Sequence, residues 1–217
     1  MGTETEIKLR IHDLKGFRAV LKKLGARAVF PGTGRVHEWN VLFDTPRNQL
    51  KKRGQLLRIR TETPEQLASK RFQRKAQRVL LTFKRPMRST HSPTRAFQQG
   101  RHKVREEIEL ELSDAAELAT IFAGLGLRGW FRYEKFRTTF RLPKSQSWAK
   151  ALLIELDQTP IGTFAELEGP PQAIDRIARA LGFSKRDYIL TNYLGLYLQE
   201  CHRHGEKAGD MVFAKRS

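Results

Sequence analysis

The chain has 217 residues, with 41 Lys and Arg against 23 Asp and Glu, and its net charge of +18 points to polyanions: nucleic acid, an anionic membrane surface or a phosphate-rich small molecule. A hydrophobic fraction of 39% and a charged fraction of 29% exclude a wholly disordered chain and leave room for one large domain or two small ones. Cys201 is the single cysteine, which excludes an internal disulfide or a cysteine-built zinc site; with no run of transmembrane length and no apolar leader, a cytoplasmic setting is expected.

Residues 4–11 alternate as a strand. Glu4, Glu6, Lys8 and Arg10 share one face; Thr5, Ile7, Leu9 and Ile11 share the other. Residues 13–24 predict a helix, with Leu14, Phe17, Leu21 and Leu24 at offsets of three and four, Asp13 as cap and Gly25 as stop. A turn over 31–34 leads into a strand over 35–44, rich in Val, Trp, Leu and Phe. After a turn at 45–48 and a break at Gly54, residues 56–62 set Arg58, Arg60 and Glu62 opposite Leu57, Ile59 and Thr61. Residues 63–77 form a polar, basic loop or short helix; 78–85 resume the strand pattern, with Thr82 and Lys84 opposite Leu81 and Phe83. A second basic connector fills 86–102. Residues 104–112 alternate cleanly, Arg105, Glu107, Glu109 and Glu111 against Ile108, Leu110 and Leu112.

A helix starting at Ser113 or Asp114 carries Leu118, Ile121, Phe122 and Leu125 to a stop near Gly126. Residues 130–142 predict a long strand with Lys135, Arg137, Thr139 and Arg141 on one face. Strands over 151–158 and 164–168 set Glu155 and Asp157 opposite Ile154 and Leu156, and Glu166 and Glu168 around Leu167. Pro170 and Pro171 open a helix bearing Ile174, Ile177, Ala178 and Leu181, and a last helix is predicted over 188–200. The order predicts an α+β fold with a mostly antiparallel sheet, one domain over 1–200 and a polar, frayed tail over 201–217.

One charged face on nearly every strand suits an open sheet wetted on one side, or a closed barrel with a polar lumen and helices outside. The charges also sort by strand: cations near 58, 84 and 137, carboxylates near 107, 157 and 166, both on the first strand. A wetted face has no need of that sorting, whereas a metal–polyphosphate site does. Arginine forks across phosphoryl oxygens, and carboxylates hold a hard divalent cation. The six histidines lack H-E-x-x-H spacing, and no P-loop or G-x-S-x-G occurs. Trp39, Trp130 and Trp148 are expected in the core or at a rim, and Cys201 partly buried in a helix.

Glu4-Thr5-Glu6-Ile7-Lys8 resembles the E-x-E-x-K signature of the CYTH superfamily, the triphosphate tunnel metalloenzymes, which includes class IV adenylate cyclases, thiamine triphosphatases and inorganic triphosphatases. Further blocks follow in order: Phe43-Asp44-Thr45-Pro46, Leu50 and Gly54 to Arg60; Leu81-Thr82-Phe83-Lys84; Arg105-Glu106-Glu107-Ile108-Glu109; Lys135-Phe136-Arg137; Asp157, then Gly162 to Glu168. The resemblance implies an eight-stranded antiparallel β tunnel, a closed barrel with polar lumen and helices packed outside. It implies one or two Mg²⁺ or Mn²⁺ ions on Glu4, Glu6, Glu166 and Glu168, helped by Asp157, Glu107 and Glu109. It gives Lys8, Arg58, Arg60, Lys84 and Arg137, with Arg105 and Lys135, to the triphosphate. Two features depart from the family: Asn192-Tyr193 stands where relatives often carry Ser-Tyr, and the basic insertions 64–78 and 87–103 exceed the core pattern.

The expected function is metal-dependent hydrolysis of inorganic triphosphate or a small organic triphosphate, with Lys8, Glu6 and Glu168 at the reacting centre. The alternatives are a class IV adenylate cyclase making cyclic AMP from ATP, and a non-catalytic polyphosphate- or nucleic-acid-binding module. The expected partner is a small-molecule triphosphate rather than a membrane; a homodimer is left open.

Overall fold

The structure is a computed structural model describing residues 2–30, 34–65, 77–87, 98–99 and 102–214. Most of both basic insertions, and most of the turn expected at 31–34, lie outside the described residues. Eight strands form the main sheet. They are β1 (Gly2–Arg10), β3 (Arg35–Asp44), β4 (Leu56–Pro64), β5 (Arg78–Pro86), β7 (His102–Leu112), β8 (Arg128–Arg141), β9 (Leu153–Thr159) and β10 (Gly162–Glu168). Two short strands are added: β2 (Arg27–Ala28) on β8, and β6 (Gln98–Gln99) on β7.

All pairings are antiparallel, in the order β1-β10-β9-β8-β3-β4-β5-β7. The sheet then closes, because β1 is shared. Its residues Gly2–Glu6 pair with β7, and Glu6–Arg10 pair with β10. Of the two architectures open to the alternating pattern, the protein adopts the closed barrel. Closure sends every second side chain inward and leaves the outer face to apolar packing.

The described helices lie outside this barrel: α1 (Leu14–Lys23), α2 (Gln49–Lys52), α3 (Ala115–Gly124), α4 (Pro171–Ala180) and α5 (Tyr193–His204). Asp13 caps α1 by accepting from the Gly16 N–H at 2.9 Å, and Asp114 caps α3. Ile7, Leu9, Ile154, Leu156 and Leu167 meet Phe17 and Leu21 of α1 and Ile174 and Ile177 of α4 in one core. Each such side chain contributes about 1.5–3 kcal/mol by leaving water. A second cluster sets Tyr193 and Leu196 against Phe131 and Phe164, and a third packs Phe122 of α3 on Phe43, Ile59 and Val79. No described helix is long and apolar enough to cross a membrane.

Two expectations change at the C-terminus. The last helix starts at Tyr193 rather than 188. Past Glu6, β1 has left β7, so the backbone of Lys8 is open on that side. Ile189 fills the gap, accepting from the Lys8 N–H at 3.0 Å and donating to the Lys8 carbonyl at 2.9 Å. That extended pairing holds the chain out of a helix until Asn192 caps α5. The segment after 201 is also less frayed than expected. The helix runs through His204, Gly205 ends it in the left-handed conformation, and Met211 returns to the core, its N–H bonding the Arg132 carbonyl at 2.9 Å.

Candidate active site within the barrel lumen

The lumen is a cavity of about 340 Å³. Its lining includes Glu4, Glu6, Lys8, Arg58, Arg60, Lys84, Arg105, Glu107, Glu109, Lys135, Arg137, Glu166 and Glu168. Residues from six strands, far apart in sequence, thus face one space. Asp157 is fully buried behind this lining and does not contribute to it. The outer members of the charge pattern sit at the ends: Arg10 lies over the Phe164 ring, and Glu111 pairs with exposed Arg78.

The cations are held from behind. Asp157 accepts from Lys135 Nζ at 2.8 Å, from Arg137 Nε at 2.7 Å and from the Tyr193 hydroxyl at 2.7 Å. Glu38, 1% exposed, lies 3.5 Å from Arg60 Nε, 3.5 Å from Lys135 Nζ and 3.4 Å from Arg137 Nε. Burial alone would raise the Glu38 carboxyl, but Arg60, Lys135 and Arg137 hold it well below the usual carboxylate range. Arg58 donates to the Tyr133 hydroxyl at 3.1 Å and to the Thr82 hydroxyl at 3.0 Å. Arg58 and Arg105 each keep a buried Nε without a hydrogen-bond partner.

The carboxylates divide into two kinds. Glu166 bonds Lys8 at 2.9 Å and also Arg137, and these cations with Lys135 hold its carboxyl far down against burial. Glu6 pairs with Lys8 at 3.5 Å and with Lys103, and is likewise held low. Glu4 takes Lys84 at 2.6 Å, which also reaches Glu107 at 3.2 Å. Glu155 and Glu168 differ. Burial, opposed by Arg137 and reinforced by Glu166 and Asp157, pushes Glu155 up to about 7. Burial, together with Glu155 and Glu4, pushes Glu168 up to about 8.

Among the described residues no three His, Cys, Asp or Glu side chains already converge as a cation cage. The chemistry of the donor set nonetheless fits a hard divalent cation. Glu168 is lifted first by burial and then by the neighbouring carboxylates Glu155 and Glu4, and carboxylate oxygens so grouped are the ligands Mg²⁺ and Mn²⁺ take.

Several lining residues escape a reading of the sequence alone. Glu38, Lys103, Tyr133 and Tyr193 all face the lumen, which Glu62, already on the predicted face of Arg58 and Arg60, also lines. Glu38 was legible in principle: it shares its strand face with Val36, Asn40 and Leu42, a buried-looking face carrying one acid. Lys103 has the same parity as Arg105 and Glu107 but lies where the basic connector blurs the strand start. Tyr193 reaches the site only through packing of α5. Asn192 beside it spends its side chain on the cap, accepting from the Gly195 N–H at 2.8 Å. Of the tryptophans, Trp148 lies under Arg176, but Trp39 is exposed rather than in the core; Cys201 is buried in α5.

Comparison with known proteins agrees with this architecture. The fold matches a proposed adenylate cyclase from Vibrio parahaemolyticus at 18% identity and a TM-score of 0.64, covering 88% of this chain and 95% of that one. It matches the PH1819 protein from Pyrococcus horikoshii OT3 at 22% identity and a TM-score of 0.65, covering 91% and 99%. It also matches HpAC1 from Hippeastrum, a proposed adenylyl cyclase described with a dominant triphosphatase activity, at 19% identity and a TM-score of 0.52, covering 94% and 97%. No curated protein sequence matches. The CYTH domain profile matches residues 2–187. With the closed eight-stranded tunnel and its charged lumen, that match over most of the chain means that the protein belongs to the CYTH domain family.

Proposed function

We propose that the protein is a divalent-metal-dependent triphosphatase whose substrate lies in the barrel lumen. One observation carries the reading: phosphate-suited cations and an equal number of carboxylates line the same 340 Å³ cavity. A nucleic-acid or polyphosphate binder has no use for carboxylates turned toward its ligand. Lys8, Arg58, Arg60, Lys84 and Arg137, with Arg105 and Lys135, bind the phosphoryl oxygens and stabilise the charge that develops on them in transfer. Glu4, Glu6, Glu166 and Glu168, with Glu107 and Glu109 beside them, are the residues that would hold Mg²⁺ or Mn²⁺. When bound, such an ion neutralises phosphoryl charge and acidifies water. Asp157, shut behind the lining, instead fixes Lys135 and Arg137 in place.

Hydrolysis needs an attacking water to lose a proton as it bonds to the terminal phosphorus, while the bond to the bridging oxygen breaks and pyrophosphate leaves. Glu155 titrates near 7 and lines the lumen, so its carboxylate is matched to receive that proton. Lys8, shared by Glu6 and Glu166, stands where both phosphate and carboxylates converge.

An organic triphosphate is the second reading. An apolar cavity of about 220 Å³ adjoins the lumen, sharing Leu42, Leu56, Arg105, Asn192 and Leu194 and adding Trp130 and Leu198. Tripolyphosphate, thiamine triphosphate and ATP, each with Mg²⁺, Mn²⁺ or a chelator, are the test. Chelator-sensitive phosphate release from at least one is expected. Cyclic AMP formation without phosphate release from any of them would overturn hydrolysis in favour of a cyclase.

A further inference from the structure

Lys103 is a lumen cation outside every motif of the chain's signature series. It sits on β7 directly across the barrel seam from Glu6 of β1. Its ammonium forms an ion pair with Glu6 that is closer than the 3.5 Å contact Glu6 makes with Lys8. Lys8 is itself committed to Glu166 at 2.9 Å. Of the two countercharges of Glu6, Lys103 is therefore the one not also paired with Glu166. The Lys103 ammonium takes a lone pair of Glu6 Oε1 that a metal ion would use, so the two cations compete for that oxygen. Lys103 also lines the cavity on a flexible four-carbon stem, next to Arg105.

Building on the metal-dependent reading of this lumen, we propose that Lys103 is a displaceable internal counter-cation. It occupies Glu6 until a divalent ion takes that carboxylate, and the released ammonium then turns to the triphosphate. Metal and triphosphate are coupled through it: the ion pays for its seat on Glu6 by displacing Lys103, and the phosphate recovers that charge. Lys103 thus weakens metal binding to the empty lumen while strengthening triphosphate binding to the metal-loaded one.

Full-length wild type, Lys103→Met and Lys103→Arg are titrated with Mn²⁺ alone, with free Mn²⁺ followed by electron paramagnetic resonance. Lys103→Met should bind Mn²⁺ about tenfold more tightly than wild type, and Lys103→Arg should stay near wild type. A merely damaged tunnel would bind Mn²⁺ more weakly, so tightening is not a folding artefact. Calorimetry with non-hydrolysable imidotriphosphate should show equal affinity of wild type and Lys103→Met without metal, and weaker binding by Lys103→Met at saturating Mn²⁺. Equal or weaker Mn²⁺ binding by Lys103→Met, while wild type binds it, overturns this role and leaves the metalloenzyme reading standing. No Mn²⁺ binding by wild type overturns both.

Discussion

Glu168 is the side chain whose environment says most about the lumen. Its carboxyl titrates near 8 because burial and two neighbouring acids oppose its charge, and a bound cation would remove that opposition. Folded Glu168 and Glu155 therefore hold protons that the unfolded chain releases near 4.5. Between about pH 4.5 and 8 the folded state binds more protons than the unfolded state, so metal-free stability should fall as pH rises through that window. The depressed carboxyls Glu6, Glu38 and Glu166 act the other way, but only below that window. Melting curves across the window should show the decline, and Mn²⁺ should reverse it while releasing protons; a metal-free melting temperature that rises with pH contradicts the assignment. Glu168→Gln should keep the fold and lose metal-dependent hydrolysis by at least about a hundredfold, with retained turnover counting against its role.

Strands position these groups through their register, and two features at the level of elements hold that register. Asp157 of β9 serves Lys135 and Arg137 of β8 and Tyr193 of α5 at once. Asp157→Ala removes one of the acids shared by two buried cations, so denaturant unfolding should show a loss of up to about 3–5 kcal/mol. Asp157→Asn, which still accepts, should cost less. Gly169 ends β10 directly after Glu168 with φ of 144°, and a Cβ there would stand 2.7 Å from the Ala151 carbonyl oxygen. Gly169→Ala should destabilise by about 1–3 kcal/mol from strain in this region alone, read from the same unfolding curves. A neutral substitution would mean that the β10 exit relaxes freely.

Across the whole molecule, the +18 charge and the lumen act in different regimes. Exposed cations attract polyanions through interactions that salt screens over about 8 Å at physiological strength. Buried lumen pairs are screened far less. Binding of single-stranded RNA or long polyphosphate should therefore weaken steeply with added salt, while triphosphate hydrolysis falls little across the same series. The doubly substituted Glu6→Gln, Glu168→Gln protein should keep salt-sensitive polyanion binding and lose hydrolysis. Equal salt slopes for both activities would place the triphosphate on the outer surface.

Period-two alternation made the strands legible, because a buried face and a charged face on one strand leave a mark in sequence. It predicted β3 to its observed bounds, Arg35–Asp44, and put the right residues of β1, β4, β7 and β10 on one face. The ordered motif series pointed to the family and to most of the lumen lining. Alternation cannot say whether a charged face meets water or another charged face, since both give the same pattern. The family resemblance implied a closed barrel, and the shared pairing of β1 with β7 and β10 is what closes it. The closing pair β1–β7 set Lys103 across from Glu6, the β3 pairings with β4 and β8 put Glu38 beneath three cations, and the β8–β9 pairing set Asp157 behind Lys135 and Arg137. Those relations are side-chain contacts between paired strands, so they exist only in the tertiary structure.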